Sequence, residues 1–382
     1  MIFNRRPNVL VHCREDMADP LSDEERRRYA RHLVLPLVGE EGQSKLLESS
    51  VLVVGAGGLG SPALLYLAAA GVGKVGVIDH DRVDISNLQR QVIHSSSGIG
   101  QPKAESASRR LSELNPEGEF CPIVEKLTEE NALSIISEYD VVVDGTDNFA
   151  SRYLIGDACE ILGKPWVFGS VHRFEGQVST FNHKGGPNYR DLFPEPPPPE
   201  LAPNCSEAGV LGVLPGLVGT IQATEALKII LDIGESLDGK LLTIDSLTMI
   251  TRVLTFNRNP ERDPLTELGE YTMSMKSISP VDFVSRTEDG WAPFLLDVRS
   301  EVESNIATLD GTSLRITHTS VPQRIGELPK DRDVVVYCRT GGRSAAVVRF
   351  LVQSGWNEEE VLNLEGGIHL WSDSVDSSIK KY

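Results

Sequence analysis

The sequence predicts an α/β protein of two domains, each built around a mostly parallel sheet. Three observations carry this. From Val51, VLVVGAGGLG joins an apolar run to a glycine turn, and SPALLYLAAAG and KVGVIDHD follow, giving strand, turn, helix, strand. Strands buried on both faces of a parallel sheet read as such unbroken apolar runs. A second set, FLLDVRS, DVVVYCRTGGRS and VLNLEGGIHLW, with AAVVRFLVQSG between the last two, lies beyond residue 278. Finally, 382 residues exceed one average domain of about 100–150.

The chain is acidic, with a formal net charge of -18 and a pI near 4.9. Such a surface repels polyphosphate backbones, so no general nucleic-acid binding is expected, and any phosphate site has to be local. No apolar run reaches the roughly 20 residues that cross a bilayer, and no leader pattern opens the chain, so no membrane partner is expected. The cysteines Cys13, Cys121, Cys159, Cys205 and Cys338 are scattered and form no C-x-x-C. That predicts individual thiols in a reducing, cytoplasmic compartment rather than a disulfide framework or zinc knuckle.

Residues 1–21 lack periodicity and read as an N-terminal arm. LSDEERRRYARHLVL then predicts a helix, with Ser22 at the N-cap and Glu25 completing a capping box. Its arginines, Arg31 among them, read as a solvated face. DVVVDGTDN and KPWVFGSV predict further strands, and the stiff FPEPPPPELAPN (193–204) reads as a crossover loop. VLGVLPGLVGTIQATEALKIIL predicts an apolar core or dimer-interface helix interrupted at Pro215 and Gly216. The expected layout is a first domain over 22–264, a flexible linker over 265–277 and a second domain over 278–382.

Gly55, Gly57 and Gly60 satisfy G-x-G-x-x-G directly after a strand, and Asp79 lies at the end of the next. Glycines there permit a tight turn and close backbone approach, the helix N-terminus accepts phosphate oxygens, and the acid takes ribose hydroxyls. Alone, this is a dinucleotide fingerprint. DISNLQRQVIH and GIGQPKAESA, however, bring Arg90, Lys103 and several amides, which suit a triphosphate and the charge that develops as pyrophosphate leaves. Asp144 and Asp147 follow a strand, where hard oxygens can hold Mg²⁺. The reading favours ATP over NAD.

With these stretches in view, RYARHLVLPLVGEEGQ, GAGGLGSPALLYLAAAGVG, DHDRVDISNLQRQVIH, GQPKAESA, DGTDNFASRYL and FPEPPPPELAPNCSEAGVLG together resemble the E1-like sulfur-carrier adenylyltransferases of the MoeB and ThiF type. The resemblance implies a Rossmann-like adenylation domain in which Gly55, Gly57, Gly58, Gly60, Asp79, Ser86, Asn87, Arg90, Lys103, Asp147 and Asn148 bind ATP, with Asp147 reaching Mg²⁺ through it. It further implies a homodimer in which Arg31 enters the partner's site, and a ubiquitin-like carrier whose C-terminal Gly-Gly carboxylate attacks the α-phosphate. Cys205, in APNCSEAGV, is a candidate covalent partner, as thioester or acyl-persulfide acceptor; the alternative is an inert buried thiol. Many relatives hold zinc with two C-x-x-C pairs. Here PNYRDLF carries Asn188 and Asp191 and RNPERDP lacks the second pair, so no zinc is expected.

In the second domain, Cys338 opens Cys-Arg-Thr-Gly-Gly-Arg, from Cys338, Arg339 and Thr340 through Gly341 and Gly342 to Arg343, and a helix is expected from Ser344. Successive N–H groups in such a loop form an anion nest, and two arginines favour the thiolate. The loop suits phosphate or a persulfide. Four residues separate Cys338 from Arg343, one fewer than in tyrosine-phosphatase loops, and the pattern resembles the rhodanese family. Asp297 and Arg299 read as supports of the loop. The chain as a whole resembles fused adenylyltransferase–sulfurtransferases of the MoeZ and MoeBR type. That implies adenylation of the carrier's terminal glycine, then sulfur transfer from a Cys338 persulfide, charged by a cysteine desulfurase or thiosulfate. Two alternatives stay open: an E1-like conjugating enzyme working through a Cys205 thioester, and a scaffold that recruits a desulfurase.

Overall fold

The computed structural model describes residues 21–195, 209–269, 271 and 275–382. Residues 1–20 of the N-terminal arm, most of the proline-rich crossover and Cys205 just past it lie outside the described residues. The α/β expectation holds. The first sheet has eight strands, β1 Ser50–Val54, β2 Lys74–Ile78, β3 Glu119–Ile123, β4 Val141–Asp144, β5 Trp166–His172, β6 Glu175–Phe181, β7 Lys240–Asp245 and β8 Ile250–Thr255, in the order β3-β2-β1-β4-β5-β6-β7-β8. Pairs from β3 to β5 are parallel; β5 to β8 run antiparallel. Strand order reverses between β1 and β4, and open α/β sheets place ligands beyond the carboxyl ends of strands at such a reversal.

The Ser22 capping box is present: the Ser22 N–H donates to Glu25 and the Glu25 N–H donates to the Ser22 hydroxyl. The helix stops at Arg28, because Tyr29 leaves helical geometry before a second short helix, Ala30–Leu33. Pro215 does not interrupt its helix, which runs unbroken from Val213 to Leu231. Proline sits in the first turn, where its missing N–H would find no intrahelical acceptor. By length and apolarity this helix could cross a membrane, against the reading of the sequence. Here its Leu214, Val218, Ala223 and Ala226 are buried in the core that fills one side of the first sheet, as befits a core helix.

The second sheet is parallel throughout, β9 Ser277–Ile278, β10 Phe294–Asp297, β11 Leu314–Arg315, β12 Val334–Tyr337 and β13 Val361–Leu364, in the order β11-β10-β12-β13-β9. Its order reverses between β10 and β12, the strands that end at Asp297 and just before Cys338. The expected linker is partly tied down. The Leu265 N–H donates to Glu160, the Tyr271 N–H to Glu129, and the Tyr271 hydroxyl to the buried Asp157 at 2.6 Å.

Candidate active site

The turn after β1 meets the turn after β4. A Cβ on Gly60 would stand 1.9 Å from the Gly55 carbonyl oxygen, and Gly55 itself has φ +97°, so both must be glycine for the chain to turn into the helix Gly60–Ala70. Gly57 differs. A Cβ there would meet nothing closer than 3.8 Å, so this glycine faces a cavity of about 950 Å³. Gly58 instead packs on Pro215, 3.1 Å from its would-be Cβ. Gly55, Gly57, Gly58, Asp79, Arg90, Lys103, Asp147 and Asn148 all line that cavity.

Asp79 has a structural task besides any ribose contact. Its two oxygens accept from the N–H groups of Ala56 and Asp81, each at 2.8 Å, which fixes the glycine turn against the end of β2. Buried His94 adds a second tie, bonding the Ala56 carbonyl at 2.9 Å and the Ser106 hydroxyl at 3.0 Å; burial lowers its pKa. Lys103, buried at the start of the helix Lys103–Leu114, places its Nζ 2.8 Å from Asp81. Burial would raise the Asp81 pKa, but the Lys103 ammonium outweighs it and holds the carboxyl below its usual range. Neither His94 nor Asp81 was singled out from sequence; the second acid of DHD was the signal for Asp81. Gln91 lines the cavity, with its buried amide oxygen lacking a partner.

The two aspartates after β4 separate. Asp144, assigned from sequence as an Mg²⁺ ligand, is fully buried and accepts from the Thr146 N–H and hydroxyl at 2.8 and 2.6 Å. Burial pushes its carboxyl up to about 6 against the nearby Arg152 charge. It shapes the turn and does not line the cavity; Asp147, exposed, does. Asn148 caps the helix Phe149–Leu162 by accepting from the Ser151 N–H at 2.9 Å. Ser86 and Asn87 form a turn capped by Asp84 and do not line the cavity, and exposed Arg31 does not reach it within one chain.

At the second reversal, Cys338 is buried with its Sγ accepting from the Gly341 N–H at 3.1 Å and the Ser344 hydroxyl at 3.3 Å. Gly341 has φ +93°, a left-handed geometry that turns the loop into the helix Gly342–Gln353, two residues earlier than expected. The Cys338 and Arg339 carbonyls accept from Ile368 and His369 at the start of the helix Gly367–Ser374. The two loop arginines differ in their partners. Arg343 binds Glu303, in the first turn of the helix Glu301–Ile306, bidentately at 2.9 and 2.6 Å. That guanidinium is the main cause holding the Glu303 carboxyl at about 2. Exposed Arg339 lies 5.7 Å from the Tyr382 ring.

Asp297 and Arg299 form a fully buried pair, Nε to Oδ1 at 2.8 Å and Nη2 to Oδ2 at 2.6 Å, and Arg299 also donates to the Tyr382 hydroxyl at 2.8 Å. Removing one member leaves the other charge buried and unpaired. Arg299→Met is therefore expected to destabilise the second domain by about 3–5 kcal/mol. Urea unfolding followed by tryptophan fluorescence checks this, since Trp291, Trp356 and Trp371 all report from that domain. Arg343→Met, which breaks a partly exposed pair, is expected to cost less.

Comparison with known proteins agrees with this geometry. The ThiF family pattern matches residues 29–265 and the rhodanese-like domain pattern matches residues 279–374. The probable adenylyltransferase/sulfurtransferase MoeZ of Mycobacterium tuberculosis is 42% identical, covering 96% of this chain and 97% of the relative. The sulfur carrier protein adenylyltransferase of Thermus thermophilus is 54% identical over 62% of this chain and 89% of the relative. Among solved structures, E. coli MccB with ATP shares the fold, with a TM-score of 0.55 and 20% identity over 63% of this chain and 73% of that one. The chain is an enzyme of the ThiF family, an adenylyltransferase fused to a rhodanese-like sulfurtransferase domain.

Proposed function

We propose that this chain adenylates the C-terminal glycine of a ubiquitin-like sulfur carrier and then converts that carboxylate to a thiocarboxylate. One observation carries the reading: a single chain joins a glycine-turn cavity fit for a triphosphate to a loop that holds one thiol against N–H and hydroxyl donors. The name of the Thermus relative supports the carrier as substrate.

In the first half-reaction a carboxylate oxygen of the carrier bonds to the α-phosphorus of ATP, the bond to the bridging oxygen breaks, and pyrophosphate leaves. Arg90 and Lys103 are placed to offset the charge that grows on the phosphates. Gly57 lets backbone approach them, and Asp147, exposed on the cavity wall, would hold the Mg²⁺ that neutralises the leaving group. In the second, the terminal sulfur of a Cys338 persulfide bonds to the acyl carbon and AMP departs with the bonding electrons. The Cys205 thiolate then attacks the Cys338 sulfur. It expels the thiocarboxylate and leaves a Cys205–Cys338 disulfide, which a thiol reductant reopens. A desulfurase persulfide or thiosulfate reloads Cys338.

The site works as a homodimer in this reading, with Arg31 entering the partner's cavity. Apolar Val34, Leu35 and Leu37 lie exposed beside it and support a covered surface. Pyrophosphate exchange into ATP, dependent on a carrier ending in Gly-Gly, tests adenylation; exchange that ignores the carrier would contradict it.

The same reading has no zinc at the Asn188–Asp191 turn. Arg262 supports it there, its Nη2 2.8 Å from Glu160 and its Nε 3.2 Å from Asp191, while Asn188 also donates to Glu160. The guanidinium thus clips the Asn188–Asp191 turn to the chain near 262. Metal analysis is expected to find no stoichiometric Zn²⁺, and Arg262→Ala to lower the melting temperature of the first domain; bound zinc would contradict this.

A further inference from the structure

The nucleotide cavity is not walled by the first domain alone. Gly342, Ala346, Arg349 and Gln353 line it too. These residues are spaced four, three and four apart, which puts them on one stripe of the helix Gly342–Gln353. The opposite stripe, with Val347, Val348 and Leu351, is buried in the core of the second domain. This helix begins at the Cys338 loop, so the segment that carries the sulfur loop also closes the cavity where ATP would lie. The other helix at the loop, Gly367–Ser374, carries His369, whose charge acts on the first domain. Asp84, in the turn before Arg90, is held below the usual carboxylate range, chiefly by its two Ser86 hydrogen bonds and in smaller part by the charges of His369 and Lys103.

We propose that Arg349 is an ATP-binding residue supplied by the second domain, so that nucleotide binding and docking of the sulfur-bearing domain are one coupled equilibrium. The inference rests on the reading of the cavity as an ATP site. Its charge balance supports it. Beside Arg90, Lys126 and the Asp81-paired Lys103, the first domain lines the cavity with Asp79, Asp81, Glu125, Glu129 and Asp147, so its acids outnumber its cations there. A polyanionic triphosphate in that setting gains from a further guanidinium, which offers donors in a fixed fork. Docking also brings the start of the persulfide helix to the place where the acyl-adenylate forms, so ATP recruits the domain that consumes its product.

The test is calorimetric titration of the full chain with ATP and Mg²⁺, comparing wild type, Arg349→Ala, Arg349→Glu and Lys103→Ala, each shown by thermal melting to keep both domains folded. Arg349→Ala is expected to weaken ATP binding about tenfold, as for a lost hydrogen bond to a charged group, and Arg349→Glu more. Because coupling is reciprocal, ATP is also expected to compact the wild-type chain in small-angle scattering and to leave Arg349→Glu unchanged. Wild-type affinity and compaction in both Arg349 variants, with binding lost in Lys103→Ala, would overturn the inference while leaving the ATP site standing. Unaltered affinity in Lys103→Ala would overturn the reading of the cavity itself.

Discussion

Cys338→Ala is expected to abolish sulfur transfer while leaving pyrophosphate exchange in place. The loop offers no second sulfur. Among the described residues the other cysteines are Cys121 and Cys159, and neither belongs to this loop. Burial, the largest cause, raises the Cys159 thiol well above its usual range, as it does Cys121 to a lesser degree, so neither is a ready nucleophile. Losing a covalent nucleophile costs on the order of 10³-fold or more in rate. Thiosulfate–cyanide transfer and carrier thiocarboxylation should therefore both fall to background. Adenylation should persist, because the Cys338 Sγ is held by Gly341 and Ser344 at its own loop and its removal leaves Arg90 and Lys103 in place. Equal loss of both half-reactions would mean that the thiol also shapes the nucleotide cavity. Retained thiocarboxylation would mean that sulfide reaches the adenylate without the loop.

The second large effect is expected at Lys103. Lys103→Ala removes the ammonium that faces the cavity and also unpairs Asp81, whose carboxyl Lys103 holds ionised. A positioned charge acting on the developing phosphate charge is worth about 10²–10³ in kcat. Pyrophosphate exchange is expected to drop by that factor, with thiosulfate–cyanide transfer unchanged because the second domain keeps its own loop. Lys103→Arg should recover part of the rate, since the charge returns in a bulkier fork. Exchange within twofold of wild type in Lys103→Ala would remove this residue from the chemistry.

The sequence made legible what backbone geometry forces. A chain can turn from β1 into a helix at this angle only with glycine at 55 and 60, so the spacing of the motif betrayed the turn and the cavity beneath it. The Cys338 loop was legible for the same reason, through Gly341. What escaped was decided by distance along the chain or by burial. Asp144 and Asp147 are the same residue type three apart, and only the fold sends one into the core and the other to the cavity. Arg343 meets Glu303 across 40 residues, which no local pattern shows. The antiparallel half of the first sheet was missed because β5 turns into β6 at Arg173 and Phe174 without a glycine or asparagine hairpin signal, and β7 and β8 lie beyond the long apolar helix. The linker read as flexible because Tyr271 stands alone in a polar stretch, yet its hydroxyl finds Asp157 far back in the chain. The second domain's share of the cavity had no signal at all in the spacing of Gly342, Ala346 and Arg349, which a core helix would show equally well.

Intact-mass spectrometry of a Gly-Gly-ended sulfur carrier, incubated with the full chain, ATP, Mg²⁺, thiosulfate and a thiol reductant, tests the joined reaction most directly. The account predicts a carrier mass gain equal to exchange of one oxygen for one sulfur, with AMP and pyrophosphate released, and loss of that gain in Cys338→Ala. A carrier recovered as a thioester on this chain or as an amide on a target lysine, with its own mass never gaining sulfur, would contradict it and mark a conjugating enzyme instead.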